Sequence, residues 1–114
     1  MMLDWKNYQG QLSSTIGEIG KLSPDTIKGY LALSNAGKQT GKLDARTREL
    51  IALAVAVSLR CDGCIAVHTD AAAKAGATRE ELAEALGVAI SVNAGAALVY
   101  SARTLDAFKQ QTAA

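Results

Sequence analysis

A chain of 114 residues holds enough apolar material for one hydrophobic core and too little for two, so residues 1–114 are read as a single domain. Its 12 basic and 11 acidic side chains nearly cancel, and with no block of five or more cations the sequence carries no electrostatic footprint for nucleic acid or an anionic membrane. Twenty-two alanines beside one Phe, one Trp and one Pro favour helix and disfavour a sandwich or barrel of β-branched and aromatic residues, so the expected fold class is all-α.

The first element spans Leu3 to about Lys21, where Leu3, Trp5, Tyr8, Leu12, Ile16 and Ile19 recur near helical spacing despite Gly10 and Gly17. Ser23-Pro24-Asp25 supplies a cap and a proline at the first helical position, opening a second helix that ends around Gly37 to Gly41. Asp44 caps a third, polar over Arg46 to Glu49 and strongly apolar from there to Leu59. Ile65, Val67, Ala71 and Ala72 then follow a helical distribution until Gly76, which places Cys61 and Cys64 near the start of a fourth helix. Thr78-Arg79-Glu80-Glu81 is a capping box for a fifth helix that reaches about Phe108, with Asn93-Ala94-Gly95 as a place where it can bend and Gln110 to Ala114 as a frayed tail.

Two stretches, IALAVAVSL from Ile51 and GVAISVNAGAALVY from Gly87, are apolar on nearly every side of a helix. Alanine-rich helices bury little area within one chain, so an oligomer is expected. The longest uninterrupted apolar runs fall short of the ~18–20 residues that cross a bilayer, and Asp4 and Lys6 do not resemble the start of a signal peptide. The expected location is cytoplasmic, with no membrane and no nucleic-acid partner.

Cys61 and Cys64 would share a helix face with His68, the only histidine. At that spacing their Cα atoms lie about 5–6 Å apart, within reach of a disulfide. The start of the fourth helix, Arg60 and His68 would all favour the thiolate, the reactive form. A histidine can move a proton between thiol and leaving group, and a carboxylate bonded to it fixes its tautomer. Glu49 is the candidate. It lies twelve residues before Cys61, roughly 18 Å along a continuous helix, so it approaches His68 only if the third and fourth helices fold back as a hairpin near Arg60. Other readings stand beside this one. The cysteines can be small buried apolar side chains, or with His68 three zinc ligands, and Glu49 can be an ordinary first-turn carboxylate. Asp62 and Asp70 read as solvated or capping carboxylates, and Asn93 as a packing or interface hydrogen bond. An iron–sulfur cluster is excluded by cysteine count, and c-type haem attachment by Ile65 where a histidine is needed.

At these residues the sequence resembles the alkylhydroperoxidase AhpD-like family within the larger carboxymuconolactone decarboxylase group. The shared pattern is Glu49, eleven residues, then Cys61-x-x-Cys64-x-x-x-His68, set in Arg48-Glu49-Leu50-Ile51-Ala52-Leu53 and Cys64-Ile65-Ala66-Val67-His68. The core of the match covers roughly Asp44 to Leu86. The resemblance implies a thiol peroxidase of organic or hydrogen peroxide, with Cys64 attacking, Cys61 as its disulfide partner, and Glu49 and His68 relaying protons. It also implies trimers or hexamers and a thiol or dithiol reductant, a lipoyl-bearing protein being one such donor, with no cofactor and no metal. The larger group's name implies a second activity, on a lactone, and the fold is equally compatible with a redox-sensing subunit that does not turn over. One position departs from the pattern: Gly63 stands where the best-studied peroxidases of the group carry a second histidine, directly before the second cysteine.

Overall fold

Asp4 accepts the backbone N–H of Asn7 at 3.2 Å and so starts α1 (Trp5–Leu22), two residues later than the apolar spacing suggests. The structure, a computed structural model, describes residues 2–114. Pro24 opens α2 (Pro24–Thr40), which Gly41 closes in the left-handed conformation at φ 68°. Asp44 accepts the N–H of Thr47 at 2.8 Å and opens α3 (Ala45–Leu59). After it come α4 (Asp62–Lys74) and α5 (Arg79–Gln111), the latter opened by the expected capping box of Thr78 and Glu81. Every described element is α-helical, as expected. α5 runs unbroken three residues beyond Phe108, into the segment expected to fray.

The helices do not share one centre equally. α3 packs against both α4 and α5, α1 bridges α2 and α4, and α2 rests chiefly on α1. The fully buried apolar side chains are Leu53 and Ala56 on α3, Ala66 and Ala72 on α4, and Ala89 on α5. Four of these five are alanines, which let helix backbones approach closely while burying little area. Arg46 reaches Glu81 at 3.5 Å and ties the start of α3 to the start of α5. Asn93 donates to Ser58 Oγ at 2.8 Å and ties the same two helices further along, the packing role expected of it.

What remains is open. The radius of gyration is 18.8 Å, against about 13 Å for a compact domain of this length. The accessible surface is 9050 Å², against about 5,900 Å² for a compact chain of this mass. Bare apolar side chains add to it on several helices, among them Leu22, Leu33 and Leu59, and in the second half of α5 Leu98, Leu105 and Phe108 are 72, 71 and 65% exposed. α5 is also long and apolar enough, by length and composition, to cross a bilayer, contrary to the expectation from uninterrupted apolar runs, because Ser91 and Asn93 break the run without adding charge.

Candidate active site

The α3–α4 hairpin is made by a two-residue change of direction, Arg60 and Cys61. Arg60 takes the left-handed conformation at φ 56° and ψ 50°, and ends α3. Its N–H donates to the Val57 carbonyl at 3.3 Å and that of Cys61 to the Ala56 carbonyl at 3.0 Å, the paired closing bonds of a Schellman turn in which glycine is the usual residue. Cys61 is then extended and serves as the N-cap of α4, its Sγ accepting the backbone N–H of Cys64 at 3.2 Å. A sulfur at that position sits against the positive end of the helix, where a thiolate is stabilised.

Cys61 and Cys64 are joined as a disulfide, with Cα atoms 5.2 Å apart. The hairpin carries Glu49 back along α4, and its Oε2 lies 2.7 Å from His68 Nδ1. Both side chains are partly covered, at 21 and 31% exposure. An Nδ1–H that donates to a carboxylate leaves Nε2 unprotonated in the neutral ring, free to accept a proton. Since α3 begins at Ala45, Glu49 is in its second turn rather than its first, and its nearest partner is His68 rather than the orphan N–H groups of the helix start. The zinc reading does not match this arrangement: the two sulfurs are bonded to each other, His68 Nδ1 is committed to Glu49, and among the described residues no three His, Cys, Asp or Glu side chains converge as ligands.

Gly63 has a packing explanation that the sequence did not offer. A Cβ at this position would come within 2.8 Å of Leu12 Cδ2. Leu12, from α1, thus fills the space where a side chain at 63 would begin, and covers the backbone of the cysteine turn. α1 is held there by Gln9, whose side-chain amide donates to Asp70 at 3.2 Å, while Asp70 also accepts from Lys74 at 3.0 Å. Asp70 is therefore a tether between helices, and Asp62 is the first residue of α4.

The Glu49–His68 pair also forms part of the wall of a cleft of about 520 Å³ bounded by α2, α3 and α4. It exists because α2 leans on α1 and leaves the facing sides of α3 and α4 uncovered. Arg48, next to Glu49, lines it and donates a guanidinium N–H to the Leu43 carbonyl. Lys38 lines it from α2. Neither cation was singled out from the sequence, since each alone reads as an ordinary solvated charge.

Comparison with known proteins agrees with this geometry. The profile of the carboxymuconolactone decarboxylase family matches residues 24–107, which include the whole hairpin. An uncharacterized protein from Haemophilus influenzae is 49% identical over 99% of this chain and 100% of its own length. Uncharacterized protein 4 in the cox locus of Paracoccus denitrificans is 39% identical, over 82% of this chain and 84% of its own. Among solved structures, the apo form of a carboxymuconolactone decarboxylase family protein from Legionella pneumophila superposes with a TM-score of 0.74 at 37% identity, covering 93% of this chain and 95% of that one. The family expected from the cysteine motif is thus the family found, and the chain belongs to the carboxymuconolactone decarboxylase family as an AhpD-like member.

Proposed function

We propose that the protein is a thiol-dependent peroxidase that reduces organic or hydrogen peroxide through the Cys61–Cys64 couple. The observation that carries this reading is a disulfide at a helix start, with a histidine one turn further along the same helix oriented by a carboxylate 2.7 Å away.

In the reduced protein, His68 takes the proton of the Cys64 thiol, and Glu49 supports the imidazolium. The Cys64 thiolate attacks the terminal peroxide oxygen. The O–O bond breaks as the S–O bond forms, and the departing alkoxide takes its proton from His68 and leaves as the alcohol. Cys61 sulfur then attacks the Cys64 sulfenic acid. The S–S bond forms, hydroxide leaves, and the Cys61 proton converts it to water. The cysteine pair has lost two electrons and the peroxide has gained them. A dithiol donor, such as a lipoyl group on a partner protein, returns them by thiol–disulfide exchange. Cys61, capping α4, is the better leaving group in that exchange, so the donor attacks Cys64.

The same reading takes the working form to be a trimer or hexamer of copies of this chain in the cytoplasm. The surplus of roughly 3,000 Å² of accessible surface exceeds the ~800 Å² that each partner contributes to a standard interface. The apolar stretch of α5 is read as a subunit face rather than a membrane span because its first half packs along α3, beside Arg46 and Ser58. Size-exclusion chromatography with light scattering is expected to give a multiple of the chain mass, and a monomer would rule the assembly out.

The chemistry is tested by counting thiols in the reduced protein before and after one equivalent of an organic hydroperoxide. The expected result is loss of two thiols per chain with one alcohol formed, abolished in Cys64→Ser, while Cys61→Ser stops at a sulfenic acid. Thiols unchanged over minutes would overturn the peroxidase reading.

A further inference from the structure

We infer that the cleft beside His68 is a binding site for an amphipathic carboxylate, which, resting on the peroxidase reading, makes the preferred substrate an alkyl hydroperoxide that carries a carboxylate at its far end. The volume of about 520 Å³ lies inside the ~300–1,000 Å³ range of small-molecule sites. More telling is the distribution of chemistry along it. Ile51, Val67 and Ala71 give it apolar walls from α3 and α4, and Leu43 adds to them from the α2–α3 connection. Charge is gathered toward that connection. Lys38 and Arg48 line the cleft there, and a second hollow that shares Gly37, Leu43 and Arg48 with it adds Lys42.

Lys38 from α2 and Arg48 from α3 thus line the cleft itself, Lys42 lines the hollow that adjoins it at Arg48, and the only acidic residue in the cleft's lining, Glu49, is occupied by His68. Arg48 uses one guanidinium N–H on the Leu43 carbonyl, which fixes the side chain and leaves its other donors free. A carboxylate placed among Lys38, Lys42 and Arg48 receives charge-assisted hydrogen bonds, and an alkyl chain running from it along Leu43 and Val67 leads toward His68. Hydrogen peroxide gains nothing from such a cleft. A neutral alkyl hydroperoxide gains the apolar part alone.

The site is tested without turnover, by calorimetric titration of the disulfide form with octanoate and with octanamide, which has the same chain and no charge. Octanoate is expected to bind about tenfold more tightly than octanamide, the scale of one well-placed charge-assisted contact. The exposed-surface double variant Lys38→Gln/Lys42→Gln should narrow that difference, with Arg48 still in place, and Val67→Phe, which narrows the cleft from a half-exposed position, should weaken both ligands. Equal affinity for the two ligands, no octanoate binding, or binding unaffected by Val67→Phe would each overturn the inference. The two readings fail separately. Octanoate binding with no thiol loss on hydroperoxide would leave the anion site standing and sink the peroxidase. Thiol loss with no octanoate binding would do the reverse.

Discussion

The α3–α4 hairpin and the second half of α5 are both helical and both apolar, yet the first holds most of the buried core, on one side of it, and the second is bare. Among the described residues, four of the five buried apolar side chains lie on the hairpin, whereas Leu98, Leu105 and Phe108 on α5 face solvent. The hairpin also holds the disulfide and the Glu49–His68 contact, so a single chain carries every residue assigned to the peroxide chemistry. The contrast separates two tasks. The hairpin sets positions at the scale of one hydrogen bond, and α5 offers area.

The largest effect that would break this division is expected at Glu49. Glu49→Gln keeps the size and removes the charge that orients and supports His68, and kcat/KM for a hydroperoxide should fall by roughly 10²-fold or more, the usual scale of proton-transfer assistance. Far-ultraviolet circular dichroism and assembly size should stay as they are, and an unchanged kcat/KM would remove Glu49 from the relay. Next comes Leu53, which is 2% exposed at the contact of α3 with its neighbours. Leu53→Ala should cost about 2–5 kcal/mol in chemical denaturation. Leu105→Asp on bare α5 sharpens the comparison from the other side. It should leave the fold of the hairpin alone and shift the particle to smaller species on light scattering, and no shift would mean that this part of α5 is not a subunit face.

Smaller effects belong to the helix starts. Thr78→Ala removes half of the capping box of α5 and should cost about 1 kcal/mol in the same denaturation measurement. The smallest is a pH effect. The Thr47 side chain, then its backbone N–H, hold the Asp44 carboxyl below its usual range, and the Thr78 backbone N–H, followed by Arg46, does the same for Glu81. Groups whose folded-state pKa is depressed stabilise the fold above the ordinary carboxylate range, and that contribution disappears as acid protonates them in the native state. Melting temperature should therefore fall on acidification through and below that range, and less steeply in Asp44→Asn/Glu81→Gln. Asp44 is exposed and Glu81 partly so, so the change in slope should be slight and should shrink in high salt.

Local signals were legible in the sequence because they act within a few residues. Pro24, the Asp44 cap and the Thr78–Glu81 box each stand at the helix start they marked. The cysteine spacing gave the right Cα separation for the same reason. The Glu49–His68 contact was legible only through the hairpin, since nineteen residues separate the two and no local periodicity joins them. Long-range packing left no such mark. That Leu12 would lie on Gly63, or Gln9 bond to Asp70, depends on how α1 crosses α4, and the widely spaced apolar residues of α1 do not specify a crossing. Lys38 and Arg48 belong to different helices and converge only because α2 stands away from α3. In sequence each is one charge among many.

Cys61 at the head of α4 would join the proposed redox cycle to the mechanics of the helix. In the oxidised protein the first turn of α4 is closed by a covalent bond, with the Cys64 amide also resting on the Cys61 sulfur. On reduction the covalent closure is lost, but the Cys61 sulfur keeps its place as the N-cap, within reach of that same amide. One fastening is lost while the other can persist, so α4 is expected to stay wound on reduction, which circular dichroism of the two forms would check. On the peroxidase reading proposed above, His68, one turn downstream, would then meet each new peroxide from the same place.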